Sequence, residues 1–307
     1  MSASDVKEPA SKAATPVGLI GLGAMGRGVA SNLLAKGHAV VGRDISAEAL
    51  RWLESQGGRA SSSADELGAA CDIVVSFLVD DVQTEQVLYG PDGLAARLRR
   101  GAVFVACSTM SPHYVRGLEP RLAAQGIALI DAPVTGGKVG AARGTLTIMG
   151  SGNLAAFERV RPVLEAFGSR VYHLGARAGA GAQMKVINQL MCGVHIVAAA
   201  EALAMAKAAG LPLDQTLEIL GSGAANSWML GDRGPRMVRG AFDDVTSAVD
   251  IFVKDMGLVI DAARQARFAA PLAHTAFLAF LEASASGLGR LDDSAVMRNY
   301  TDRRSVE

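Results

Sequence analysis

Lys185 stands in the run Gly181-Ala-Gln-Met-Lys185-Val-Ile-Asn188-Gln189, among small, apolar and amide neighbours. On a helix, Asn188 and Gln189 fall one turn beyond it, so a lysine and an amide can point together into one cleft. Desolvation of that amine would lower its pKa and prepare it for proton transfer near neutrality. Alternatively its stem runs along the helix to water. A second segment, Asp131-Ala-Pro-Val-Thr135-Gly136-Gly137, offers the Thr135 hydroxyl and the free N–H groups of two glycines to a substrate carboxylate. Its plainer reading is a turn containing glycines. A third, Cys107-Ser-Thr109-Met-Ser-Pro112, could bring hydroxyls to a nicotinamide ring, cap the helix that Pro112 opens, or do both. In a fourth, Asp250-Ile-Phe-Val-Lys254-Asp255-Met256, the lysine and acid would ordinarily form a solvated face. Here the apolar neighbours favour partial burial.

A cleft that brings hydroxyls to a nicotinamide ring must also hold the rest of the dinucleotide, and the chain carries a fingerprint for one. The apolar run from Val17 leads into Gly21-Leu22-Gly23-Ala24-Met25-Gly26, followed by a helical stretch from Ala24 to Lys36, a resumed strand at His38–Val41 and then Asp44. In such a β-α-β unit Gly21 allows the tight turn, Gly23 lets backbone approach a pyrophosphate and Gly26 lets helix and strand pack closely, with the phosphates at the helix N-terminus. Asp44 falls where a carboxylate accepts the adenosine ribose hydroxyls, which points to NAD over NADP. Arg43 is a competing phosphate ligand.

These segments need a scaffold. Helices are predicted at Ala47–Ser55 and after the capping run Ser61–Ser63, and short apolar strands recur at Asp72–Leu78, Ala102–Ala106, Ile127–Ile130, Gly144–Met149 and Arg170–His173. That spacing predicts a largely parallel sheet, covered by helices on both faces and ending near Leu174. Gly175–Gly181 reads as a hinge-like loop, and the remainder is helical: Gln183–Ala209, Leu213–Ser222, Trp228–Met237, Ala248–Gln265, Pro271–Ser286 and Ser294–Tyr300. The fold class is therefore an α/β Rossmann-type domain followed by an all-α domain. The expected boundaries are a disordered segment at 1–15, a dinucleotide domain at 16–177 and a helical substrate and oligomerisation domain at 178–307.

With 30 basic and 30 acidic residues among 307, no overall field attracts nucleic acid or an anionic membrane, and a small carboxylate is the expected partner. Cys71, Cys107 and Cys192 have no metal-ligand spacing and read as buried thiols in a reducing compartment, with no metal expected. No secretory core precedes Val17, and the apolar stretch Leu190–Ala206 is interrupted by His195 and Glu201, so a cytoplasmic protein without a membrane span is expected.

Taken together and in this order, the glycine fingerprint, Asp131–Gly137, Gly181–Gln189 and Lys254-Asp255 make the chain resemble the β-hydroxyacid dehydrogenase (3-hydroxyisobutyrate dehydrogenase-like) family. The resemblance implies that Lys185 is the catalytic lysine, and that Thr135, Gly136 and Gly137 bind the substrate carboxylate. It further implies that Asn188, Gln189 and Asp255 lie at the substrate, that Leu78, Val79, Thr109 and Lys254 line the cofactor, and that the protein assembles as a homodimer or homotetramer. Two departures concern specificity: Gln189 stands where the family often has asparagine, and Thr135 replaces a frequent serine. Asn188–His195, Ser227–Met229, Asp250–Met256 and Gly289–Ser294 are similar to the L-threonate dehydrogenase subgroup, which implies a four-carbon sugar acid. A 3-hydroxyisobutyrate dehydrogenase or a semialdehyde reductase is the rival enzyme, and a dinucleotide sensor without turnover is the rival from another class.

Overall fold

The computed structural model describes residues 15–302, so the segment expected to be disordered lies outside the described residues except at its last position. Strand β1 (Val17–Ile20) alternates its side chains between two apolar layers, with Val17 and Leu19 in one and Ile20 in the other. Helix α1 (Ala24–Ala35) returns to β2 (Val40–Arg43), and Val29, Ala30 and Leu33 cover the sheet. Next come α2 (Ala47–Ser55), capped by Ser46, then β3 (Arg59–Ala60), and α3 (Ala64–Ala70), capped by Ser63. Strand β4 (Ile73–Ser76), α4 (Asp81–Tyr89), β5 (Val103–Ala106), α5 (Pro112–Ala124) and β6 (Ala128–Asp131) complete a six-stranded sheet of order β3-β2-β1-β4-β5-β6. All its pairings are parallel.

Register is what makes this sheet a site. Ile20 pairs with Arg43 and Ser76, Ser76 with Ala106, and Ala106 with Asp131. Five strands therefore end level, and the segments after them emerge on one edge. The order reverses at β1, where an open α/β sheet forms its ligand crevice.

The expectation that all later strands join this sheet is corrected. Beyond β6, Pro133 has no N–H to continue the ladder, and the chain crosses into a separate sheet. Strand β7 (Val134–Thr135), helix α6 (Gly137–Arg143), β8 (Leu146–Gly150), α7 (Leu154–Phe167) and β9 (Gly168–His173) form it, with β7 antiparallel to β8. A two-way bridge between Asp131 and Ser151 joins the two sheets, at 3.0 and 2.7 Å.

The chain then becomes helical. Helix α8 (Ala180–Ala208) is the axis around which α9 (Leu213–Ser222), α10 (Trp228–Arg239), α11 (Val249–Gln265) and α12 (Pro271–Ala283) collect a third apolar core. The expected helix to Ser286 ends at Ala283 and relaxes into a π turn through Gly287, whose φ is 85°. The last expected helix divides into a 3-10 turn at Asp293–Met297 and α13 (Arg298–Thr301). Helix α8 is long and apolar enough to cross a membrane by length and composition, but half of its most apolar window is buried inside the protein.

Candidate active site

The stretch Gly175–Gly181 does not end as a free hinge. Helix α8 starts three residues earlier than periodicity suggests because Asp131 holds its first turn: Oδ2 accepts the N–H groups of Gly179 at 2.9 Å and Ala182 at 2.8 Å, and the Ser151 hydroxyl at 3.1 Å. Ser151 Oγ in turn accepts the Gly181 N–H at 3.0 Å. A Cβ at Gly181 would lie 2.3 Å from the Met149 carbonyl oxygen, so only glycine admits this approach. Burial pushes the Asp131 carboxyl up to about 6, against the N–H groups of Ala182 and Gly179. An anion at a helix N-terminus is favourably placed, and it fixes the helix that carries Lys185 one turn further on.

Lys185 is 8% exposed and faces the cleft between the parallel sheet and the helical half, which settles the choice left open by its sequence. Among the described residues its amine has no hydrogen-bond or ion-pair partner. Burial lowers its pKa, opposed by the charge of Asp255. Asp255 is itself buried between two donors, Lys254 Nζ at 2.6 Å and Gln189 Nε2 at 2.5 Å. Lys254 also donates to the Thr109 carbonyl at 3.1 Å, so one ammonium ties α11 to the end of β5. The pair is therefore part of the cleft wall and not a solvated face. Asn188 departs from the expected arrangement: its amide donates to Gln189 Oε1 at 2.9 Å and to Cys192 Sγ at 3.2 Å, and it lines the adjoining groove and not the cleft.

The cleft has a volume of about 470 Å³ and brings together Gly23–Gly26, Leu78, Val79, Thr109, Thr135–Gly137, Lys185, Gln189, Lys254 and Asp255. Gly136 and Gly137 both have left-handed backbones, with φ of 124° and 62°. A Cβ at Gly137 would meet nothing within 4 Å, so backbone conformation and not crowding requires glycine there.

A dinucleotide fits the fingerprint on the same kind of test. A Cβ at Gly21 would lie 2.4 Å from the Phe77 carbonyl oxygen, and one at Gly26 only 1.9 Å from that of Gly21. Gly23 differs, since its φ is −70° and a Cβ would meet nothing within 4 Å. No contact inside the protein demands glycine at that position, and the open space before it suits a close-lying pyrophosphate. Gly21, Leu22 and Asp44 are not among the residues lining the cleft, and Asp44 accepts the N–H groups of Leu22 at 2.6 Å and Ser46 at 2.8 Å. Arg43, the competing phosphate ligand, pairs with Asp92 at 2.6 Å.

Further residues line the cleft, one of them in the hydroxyl-bearing segment Cys107–Pro112 and three that the sequence reading missed. Ser108 Oγ accepts the Leu78 N–H at 3.1 Å and lines the cleft beside Thr109. Arg233, Thr246 and Ser247 line the helical wall. None of the three stood out from the sequence, and Arg233 draws its placement from Asp293, 60 positions away.

Comparison with known proteins gives the family and the fold. Residues 16–175 match the family model described as the NAD binding domain of 6-phosphogluconate dehydrogenase, and residues 179–300 match that described as NAD-binding of NADP-dependent 3-hydroxyisobutyrate dehydrogenase. The L-threonate dehydrogenase of Cupriavidus necator is 44% identical, covering 92% of this chain and 95% of its own. A solved structure described as 3-hydroxyisobutyrate dehydrogenase from Salmonella typhimurium superposes with a TM-score of 0.88 at 43% identity, over 92% of this chain and 99% of that one. The 3-hydroxyisobutyrate dehydrogenase of Mycobacterium tuberculosis, solved with L-serine, gives 0.82 at 30% identity over 93% and 98% of the two chains. The chain belongs to the β-hydroxyacid dehydrogenase (3-hydroxyisobutyrate dehydrogenase-like) family and is a hydroxyacid dehydrogenase with a nicotinamide dinucleotide as its cofactor.

Proposed function

We propose that the protein oxidises the 2-hydroxyl of a four-carbon sugar acid such as L-threonate to the keto acid 2-dehydro-L-erythronate, with NAD as acceptor and Lys185 as general base. The observation that carries this reading is the Lys185 amine, buried, facing the cleft and lacking a partner among the described residues. Thr135 and the N–H groups of Gly136 and Gly137 hold the carboxylate, and Lys185 takes the hydroxyl proton as the carbon-bound hydrogen leaves. Gln189 is oriented by Asp255 and presents its amide beside the reacting carbon. When bound, the dinucleotide supplies the hydride acceptor. Positioning and proton transfer together account for most of the rate.

NAD is favoured over NADP because Asp44 places a carboxylate just after β2, where a 2′-phosphate would be repelled, while Arg43 directs one terminal nitrogen to Asp92. The division of labour we infer assigns residues 16–177 to the dinucleotide and 178–307 to substrate and assembly. Assembly is supported by an exposed apolar stripe along α8, formed by Met184, Ile187, Met191 and Met205 at 40%, 50%, 48% and 74% exposure. Such a stripe fits a second copy. Light scattering should report a dimer or tetramer, and a monomer at micromolar concentration would remove this element.

The reading is tested by following NADH absorbance with NAD and NADP against L-threonate, D-threonate, glycerate, L-serine and 3-hydroxyisobutyrate. The expected result is the highest kcat/KM with NAD and L-threonate. Activity confined to 3-hydroxyisobutyrate would assign the enzyme to the rival substrate, the activity named for the Salmonella structure.

A further inference from the structure

The wall of the cleft formed by α10 and the segment before α11 carries a charge that neither the proton transfer nor the carboxylate loop uses. Arg233 is 7% exposed and lines the same cavity as Lys185 and Gln189. Its guanidinium grips Asp293 in a two-pronged pair, Nε to Oδ1 and Nη2 to Oδ2, both at 2.7 Å, and its Nη1 donates to Asp232. Three of the five N–H donors of an arginine are thus engaged, leaving one on each terminal nitrogen.

The neighbouring acid repeats the device. Asp292, fully buried, accepts both the N–H and the hydroxyl of Thr246 through Oδ2 at 2.9 Å. Two consecutive aspartates at the start of the 3-10 turn therefore each fix one polar cleft residue, Asp293 holding Arg233 and Asp292 holding Thr246. Stability is weak grounds for the arrangement, because well-packed apolar residues of similar volume often replace a buried ion pair at no cost. A fixed guanidinium in a cleft wall is suited to recognising oxygen atoms.

We propose that Arg233, held by Asp293, is the specificity-determining residue that donates hydrogen bonds to the distal hydroxyls of the four-carbon acid, with Thr246 beside it. The inference rests on the substrate reading above and adds which end of the substrate is read, and by what. The carboxylate loop and Arg233 line the same cavity, so an acid anchored at Thr135 extends its C3 and C4 oxygens into a space that Arg233 also borders. A three-carbon acid lacks C4 and gains less from this wall.

The test compares L-threonate with its 3-deoxy and 4-deoxy analogues, 2,4- and 2,3-dihydroxybutanoate, on the purified full-length enzyme with NAD. Loss of a hydrogen bond to a charged donor should lower wild-type kcat/KM roughly 10- to 100-fold for at least one analogue. In Arg233→Met that ratio should collapse toward unity. Arg233→Lys retains a positive charge opposite Asp293 and carries the test if the methionine variant does not fold, as judged by thermal melting with NAD bound. Equal wild-type kcat/KM on all three acids, or a ratio that both variants leave unmoved, overturns the assignment of Arg233. Failure of the wild type to oxidise any four-carbon acid overturns the substrate reading itself, a separate result.

Discussion

Replacing Lys185 with methionine should lower kcat at least about 100-fold, and by as much as ~10⁴-fold, while leaving NADH binding by fluorescence titration unchanged. The two side chains fill similar space, so the loss isolates the amine. The same substitution should not lower the melting temperature and should raise it near neutral pH. Burial depresses the pKa of Lys185 in the folded chain. Between that depressed value and the ordinary lysine value the unfolded chain binds the proton more readily, so stability climbs with pH through that window and neutral pH lies toward its costly end. Methionine removes the cost. In the wild type, oxidation should likewise increase with pH as the amine loses its proton, and this limb of the profile should flatten in the variant. Retained turnover would exclude Lys185 as the base.

The second large effect is expected at Asp131. Alanine there strands the N–H groups of Gly179 and Ala182 and the Ser151 hydroxyl, costing about 1–3 kcal/mol for each buried donor left unsatisfied. Relief from burying a charge offsets part of this, and the net loss should be about 2–4 kcal/mol at neutral pH, read by denaturant unfolding. Because the carboxyl is raised from 3.8 to about 6, the folded chain binds the proton more tightly than the unfolded chain between those values. The contribution of Asp131 to stability is therefore complete below about pH 4 and declines by ~3 kcal/mol as pH rises through 6. The gap between wild type and Asp131→Ala should accordingly widen on acidification. With α8 unpinned, Lys185 shifts relative to the substrate, and kcat should fall at least about tenfold while KM changes less. Asp131→Asn preserves an acceptor for the three donors and should recover most of the stability. Equal losses in both variants, or no pH dependence, would exclude the clamp.

What was legible in the sequence follows from how local its cause is. Helix α2 was bounded correctly at Ala47–Ser55 because its cap and its apolar positions lie within a dozen residues. The glycine fingerprint was readable because its spacing is a local pattern, with Gly26 excluded from a side chain by Gly21 five positions away, although the Phe77 carbonyl that excludes one at Gly21 lies 56 positions on. The second sheet was not, because β7 is two residues long and pairs antiparallel across a helix that no periodicity announces. Lys185 was found because an ammonium is conspicuous among alanines and methionines. Its clamp was not, because Asp131 lies 48 to 51 positions from the N–H groups that it holds. Arg233 likewise acquires its meaning only from Asp293, 60 positions later.

The seam between α1 and α6 constrains how such an enzyme can diversify. A Cβ at Gly28 would lie 2.7 Å from the α6 backbone, and the Asn32 amide donates to the carbonyls of Ala141 and Ala142 at 2.8 and 3.2 Å. One of these helices starts at the glycine turn proposed to hold the phosphates and the other at the loop proposed to grip the carboxylate, so neither can shift without dragging the second. Descendants of this architecture are therefore denied a wider mouth on that side. New substrates must be accommodated by retailoring the opposite face, where side chains can change one at a time without disturbing the coenzyme.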